Sequence, residues 1–359
     1  MSISPQRPFM ITATLFLVLT GCVSLFWRDH LLQIPLAPIT VATVHLFVLG
    51  VLTMLLIGYA YHFLPLWTHR PIPWPRAIPW VNFSLTVGVL TLFLGVGTQL
   101  HRWFLLVASA GVGFGLGFFL LQAGFALIRC RSHHPLLPLI RLAMLALTGV
   151  FLLGATFLGE YAHGFLPYDR LAMLGTHLTW GLFGWAGLFI LAIRWHLLTN
   201  QGEVIWATGG AFLTLVGVPV ALFFYPDTPY GLWLALAPGI GAFIWMNKGE
   251  PFFSGRWGGN FLALASLGVL LAWPRHAHEL WRFLFGVLYL PGWSLSMLFK
   301  YFYIENPSPL EKSHEKCHLL SVAFLVGAVV SGWPVALFLG GILLIGSALF
   351  YLWAQQRVL

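Results

Sequence analysis

Apolar runs long enough to cross a bilayer succeed one another along this chain, and they constrain its fold more than any other feature. The chain is 59% hydrophobic and only 8% charged, with a mean hydropathy of +0.87. A membrane helix needs about 20 apolar residues, and backbone in lipid must satisfy its own hydrogen bonds, so these runs predict an all-α integral membrane fold. We predict twelve spans, at about residues 9–27, 37–66, 78–99, 103–128, 136–160, 170–195, 205–225, 228–247, 259–273, 277–303, 318–333 and 335–354.

The basic residues predict the orientation of these spans. With a cytoplasmic N-terminus, 13 Lys and Arg residues fall at the cytoplasmic ends of the spans and 5 at the outer ends. Cytoplasmic loops normally carry such an excess, so we expect both termini in the cytoplasm. The formal charge of +8 then follows from topology, and nucleic acid is not an expected partner.

An internal repeat relates spans 2 and 6. When Gly50 is placed on Gly184, an offset of 134 residues, the histidines twelve residues further on, His62 and His196, also coincide. Four spans separate the two copies, so twelve spans suit three four-helix pseudo-repeats within a single membrane domain of residues 1–359. The repeats would cover about residues 1–135, 136–250 and 251–359. Span 10 does not match the glycine register, so the third repeat depends on the number of spans.

Histidines inside the spans are the candidate cofactor ligands. One set lies in the outer halves of spans 2, 6 and 10, and comprises His45, His177, His276 and His278. A neutral imidazole offers a lone pair to haem iron without adding net charge, and its second nitrogen can donate to an acceptor. Polar side chains buried in membranes are either functional or paired, so the alternative role for each histidine is a structural hydrogen bond.

A second pair, His62 and His196, lies near the cytoplasmic ends of spans 2 and 6. His45 and His62 are separated by about 25 Å along a helix and cannot share one metal. The inner pair therefore indicates either a second layer of cofactor or ordinary anchors at the membrane interface, where polar side-chain tips are common.

Cationic and hydrogen-bonding side chains at the outer rim are candidate partners for haem propionates. They are Arg28, His30, His163, Arg170 and Arg282. The acidic residues lie in loops or at helix ends, so a pump built on buried carboxylates is disfavoured. The sequence also has no motif of a soluble nucleotide-binding, serine-hydrolase or zinc-protease site.

These motifs resemble two related groups of membrane proteins. The H-x-x-x-L-G and Y-H-x-L-P elements of residues 45–65, with "THLTWGLFGW" at 176–185, resemble helices of haem–copper oxidase and nitric-oxide reductase large subunits. "QRPFMITATLFLVL" at 6–19 and "LPLWTHRPIPW" at 64–74 are similar to segments of the NnrS family of haem–copper membrane proteins, which are associated with the nitric oxide response. The resemblance implies a twelve-helix bundle with pseudo-threefold symmetry in a bacterial cytoplasmic (inner) membrane.

The resemblance also implies roles for the outer histidines. His45 would be a haem ligand, with His278 as its partner, and His276 would bind a second haem, giving one or two haem b groups. His177 occupies a position that binds copper in oxidases, although it could instead face a haem. Copper is disfavoured because span 7, "VIWATGGAFLTLVGVPVAL", lacks the adjacent histidine pair of the oxidases. The chain also departs from the NnrS pattern, since Leu46 follows His45 where that family has glutamate.

The expected function is haem binding for respiratory electron transfer, or for handling nitric oxide or oxygen. The expected partners are the lipid bilayer, haem, cytochrome c or quinol, and other respiratory subunits of a larger complex. Two alternatives stay open. One is a haem-free transporter or structural membrane subunit, and the other is a copper-dependent reductase of NO or O2, which would make the protein an oxidoreductase.

Overall fold

The architecture comes from a computed structural model, which describes residues 5–27, 37–99, 102–130, 134–164, 170–196, 204–224 and 334–357, with isolated positions between 234 and 324. The elements in these ranges are helices, and the described residues contain no β-strand. Six of them are long and apolar enough to cross a membrane. The all-helical class is therefore confirmed for this part of the chain, and the protein is a multi-pass membrane protein.

The helices follow the apolar runs closely. They are α1 (Arg7–Phe26), α2 (Pro38–Thr68), α3 (Pro75–Gly97), α4 (Trp103–Ile128), α5 (Leu137–His163), α6 (Arg170–His196), α7 (Val204–Phe224) and α8 (Pro334–Arg357). The first six are the candidate spans, while α7 and α8 contain shorter apolar stretches, Thr208–Phe224 and Phe338–Phe350. The predicted spans at 228–247, 259–273, 277–303 and 318–333 lie outside the described residues, apart from a few isolated positions.

Proline and glycine explain where several helices begin and end. Proline stands in the first turn of α2 and α5, where its missing N–H has no partner to lose. Helix α5 ends at Gly164, whose φ of 70° is left-handed and whose N–H donates to the Glu160 carbonyl at 2.7 Å. Such a φ favours glycine, because a side chain there would be strained.

Hydroxyl side chains inside the apolar helices bond to their own backbone. The Thr14, Thr20 and Thr43 hydroxyls each donate to the carbonyl four residues earlier, at 2.7 to 2.8 Å. The hydroxyl hydrogen is thus satisfied within the same helix, so these residues need no water and no neighbouring helix. They are compatible with a membrane span and do not mark a polar site.

Three of the described helices contain a π-helical segment, in which each turn is wider than in an α-helix. The segments are Leu46–Thr53 in α2, Phe93–Gly97 in α3 and Thr179–Gly187 in α6. The segments of α2 and α6 end at Thr53 and Gly187, which are 187 − 53 = 134 residues apart. This is the offset that superposes Gly50 on Gly184. Segments of this kind occur frequently at functional sites.

The chain forms two compact units, and each is described by itself. The first comprises Met1–Gln6, Leu56–Leu85 and Ser109–Glu250, and the second comprises Arg7–Leu55, Thr86–Ala108 and Pro251–Leu359. Helices α2, α3 and α4 therefore contribute one part to each unit. The prediction of one membrane domain with three pseudo-repeats stays a prediction.

Glycines set the helix packing of the second unit. A Cβ on Gly21 of α1 would lie 3.0 Å from the Gly341 carbonyl of α8, and a Cβ on Gly50 would lie 2.6 Å from the Phe16 ring. Because real Cβ contacts are wider than this, α1 approaches α8 and the π segment of α2 so closely only through glycine. Small residues have this role at helix crossings within membranes.

Aromatic rings fill the first unit. The buried Trp67 indole stacks on Phe63 with ring centroids 5.2 Å apart, and its edge meets Phe189 of α6 at 6.0 Å. Phe119 of α4 contacts Trp185 of α6 at 6.1 Å. These rings fix α2, α4 and α6 to one another, so they serve as a packed core.

Candidate functional site

His45 is the last residue before the π segment of α2. It ends the α-helical part Pro38–His45, and the wider turns begin at Leu46. Its side chain is half-buried, and its Nδ1 lies 2.8 Å from the Val41 carbonyl oxygen. A carbonyl oxygen only accepts hydrogen bonds, so Nδ1 must carry the proton.

This hydrogen bond decides which nitrogen of His45 can act as a ligand. With the proton on Nδ1, the lone pair of the neutral ring is on Nε2. Metal-ligating histidines usually donate their second nitrogen to a carbonyl or a carboxylate, which fixes the ring orientation and raises its basicity. The donor chemistry of His45 therefore fits an axial haem ligand, held by its own helix.

His177 lies two residues before the π segment of α6 and is also half-buried. Its ring packs edge-on against Phe157 of α5, with centroids 5.7 Å apart. A Cβ on Gly154 of α5 would lie 3.5 Å from the imidazole Cε1, and the Nδ1 atom is enclosed. The imidazole thus packs against α5 between the Gly154 backbone and the Phe157 ring.

The two outer histidines belong to different compact units. His45 lies in the second unit and His177 in the first. Within the described ranges, no three His, Cys, Asp or Glu side chains come close enough together to hold a metal ion. A three-histidine copper centre would need such a cluster. A single histidine is enough to bind haem iron, so the search for clusters does not test haem binding.

The inner pair is described only in part. His62 is exposed on α2, while its neighbours Tyr61 and Phe63 are buried. Its imidazole meets the Phe63 ring edge-on, with ring centroids 4.9 Å apart. His196 ends α6, and its side chain lies outside the described part of the structure. The proposed pairing of these two residues stays a prediction.

Of the rim candidates, Arg170 has a described partner. Its Nε lies 3.5 Å from Oε1 of Glu160, across the connection between α5 and α6. The Arg170 side chain is 59% exposed and that of Glu160 is 19% exposed, so solvent screens this ion pair in part. The side chain of His163 and the whole of Arg28, His30, Arg282, His276 and His278 lie outside the described residues.

Sequence reasoning did not identify the indole that holds the π segment of α6. Trp180 Nε1 donates to the Leu215 carbonyl of α7 at 2.7 Å. That carbonyl lacks its usual helical donor because the residue four positions later is Pro219, which lies inside α7 and has no N–H. A proline within a predicted span was the available signal, since it leaves one carbonyl in need of a partner.

Gln122 is a second polar group that sequence reasoning did not single out. Its amide is fully buried in α4, accepts from the Tyr61 hydroxyl at 2.6 Å, and donates to the Pro73 and Trp74 carbonyls at 2.7 and 3.1 Å. Trp74 has a left-handed backbone, with φ 50°. The amide thus links the turn between α2 and α3 to helix α4 and to Tyr61 of α2.

A comparison with models of known protein families finds no match, and no curated protein matches the chain. The resemblance to haem–copper oxidases, nitric-oxide reductases and the NnrS family accordingly depends on the short motifs quoted above, and it stays a prediction.

Proposed function

We propose that this protein binds haem b within its helical bundle and acts in respiratory electron transfer or in handling nitric oxide or oxygen. The observation that carries the proposal is the geometry of His45. Its Nδ1 bond to Val41, 2.8 Å long, fixes the tautomer that offers Nε2 to iron, inside a span of 31 residues. A bacterial inner membrane, a cytochrome c or quinol partner and further respiratory subunits belong to the same proposal.

The position of His45 at the start of a π segment supports this role. The wider π turns begin at the residue after His45. Within this π segment, the backbone of Gly50 packs directly against the Phe16 ring of α1. A local change of helical register of this kind is frequent at functional sites. His177 lies two residues before the π segment of α6, which favours it as a candidate ligand in its own unit.

The residues of the chain itself would hold and orient the macrocycle. His45 would bind the iron through Nε2, and the Val41 carbonyl keeps its ring in place. Haem supplies a redox-active iron when bound. A second histidine on the iron, from the His276 and His278 pair, favours electron transfer, whereas an open position favours binding a diatomic gas.

Absorbance spectra of the purified protein test the proposal. We expect a Soret band in the oxidised protein that shifts with dithionite, and that moves again with CO or NO where one iron position is open. His45→Ala should lower haem content at least several-fold, because the axial ligand is lost. His69→Asn is the matched control, since His69 is an exposed histidine with φ 52° and asparagine tolerates that backbone.

The same samples separate the alternatives. A folded protein without a Soret band, whose spectrum is indifferent to His45→Ala and His177→Ala, would favour the haem-free transporter or structural subunit. One copper per chain, together with turnover of NO or O2, would favour the copper-dependent reductase.

A further inference from the structure

The π segment of α6 is held from two sides by neighbouring helices. On one side, a Cβ added to Gly149 of α5 would overlap the Trp180 ring, so the indole packs directly against the glycine backbone. On the other side, the Trp180 N–H donates to the Leu215 carbonyl of α7. The indole therefore has both its position and its rotation fixed.

Pro219 makes this hydrogen bond important for stability, because it leaves the Leu215 carbonyl without a backbone donor. A carbonyl within a membrane helix normally accepts from the N–H four residues later, and Leu215 has no such donor because of the proline ring. An unsatisfied carbonyl is costly away from water, so the Trp180 N–H restores what the proline removed. The Leu215 side chain also contacts the same segment, since a Cβ on Gly184 would lie 2.9 Å from its Cδ2.

His177 precedes Trp180 by three residues and lies on the same side of α6. Residues three apart are neighbours on a helix surface, and both side chains pack against α5: His177 at Gly154 and Phe157, and Trp180 at Gly149. A rotation of α6 that freed the indole would also move the imidazole along α5. The attachment of Trp180 therefore restricts where His177 can point.

We propose that Trp180 is a positioning residue for His177, acting through its hydrogen bond to the Leu215 carbonyl that Pro219 leaves without a helical donor. This inference deepens the proposed function, since it concerns one of the predicted haem ligands. The contacts that carry it are all made between residues of the chain itself.

Chemical modification of His177 tests the positioning role without using haem. The full-length protein in detergent is treated with diethyl pyrocarbonate, which acylates neutral imidazole, and the rate at His177 is followed by peptide mass spectrometry. We expect Trp180→Phe, which keeps an aromatic ring but removes the N–H, to raise this rate several-fold. The rate at the exposed His62 should stay the same.

Two further variants separate positioning from a general loosening of the fold. Trp67→Phe removes a buried indole of the same unit and should leave the rate at His177 unchanged. Pro219→Ala returns a backbone N–H to the Leu215 carbonyl, so Trp180→Phe should lower the melting temperature by about 2–4 °C in the natural background and by less in the Pro219→Ala background.

The outcomes distinguish this proposal from the proposed function. An unchanged rate at His177 in Trp180→Phe, or an equal rise at His62, would overturn the positioning role. A missing Soret band would contradict haem binding and leave the modification experiment fully interpretable. Where haem is bound, a changed spin state in Trp180→Phe that is absent in Trp67→Phe would support both proposals.

Discussion

Gln122 shows how much depends on single polar side chains in an apolar bundle. Its amide oxygen accepts from Tyr61 and its amide nitrogen donates to two carbonyls of the turn between α2 and α3. A fully buried amide is tolerated only when its hydrogen bonds are made, because no water is present to replace them. Gln122 could be located inside a predicted span from the sequence, but neither its partners nor the left-handed Trp74 beside it could be predicted without the tertiary contacts.

We expect Gln122→Leu to lower the free energy of unfolding by about 1–3 kcal/mol, because the Tyr61 hydroxyl and the carbonyls of the turn lose their partner. Thermal unfolding in detergent measures the change. Tyr61→Phe serves as the matched variant, and the double variant should cost less than the sum of the two single changes, since both ends of one bond are removed together. Strict additivity would contradict the network.

For His45, too, the sequence predicts a polar residue inside a span but not its hydrogen-bond partner. An intramembrane histidine could be recognised from the sequence, together with the choice between a ligand and a structural hydrogen bond. The structure adds the bond from Nδ1 to Val41, and this bond is compatible with both roles, because it leaves the lone pair on Nε2. The spectrum of His45→Ala decides between them.

For the individual helices, the sequence predicts where each one begins and ends, but not the π segments within them. The apolar run predicts a span at 37–66, and α2 runs over Pro38–Thr68, because an apolar run and its flanking prolines define a span well. The π segments have no compositional signature, since they depend on how neighbouring helices pack. A Cβ on Gly184 of α6 would meet both Ala146 of α5 and Leu215 of α7, so there is no room for a side chain.

The packing at Gly184 can be tested by adding one methyl group. A Cβ there would lie 2.5 Å from the Ala146 Cβ and 2.9 Å from the Leu215 side chain, so we expect Gly184→Ala to cost about 1–3 kcal/mol. Thermal unfolding in detergent measures the loss. Gly117→Ala in α4 is the control, because a Cβ there meets nothing within 4 Å. Similar melting temperatures for the two variants would refute the tight packing of the π segment.

At the scale of the whole molecule, the hydropathy pattern carries the membrane assignment and the basic residues carry the orientation. Six candidate spans are present in the described ranges, which agrees with the first six of the twelve predicted. A helix crosses a bilayer in either direction with the same internal bonds, so helical geometry alone does not give the sidedness. The distribution of 13 basic residues against 5 remains the basis for placing the N-terminus inside.

Single cysteines in the two turns that flank α3 test this orientation. Pro71, before the helix, and Thr98, after it, are both exposed and lie at opposite ends of one span. With Cys22, Cys130 and Cys317 replaced by serine, we expect a membrane-impermeant maleimide to label Thr98→Cys in intact cells, and Pro71→Cys only after the membrane is opened. The reverse pattern would invert every span and would place the outer histidines, His45 and His177, on the cytoplasmic side. Labelling of both cysteines in intact cells would mean that α3 does not cross the bilayer, and the twelve-span topology would then be wrong.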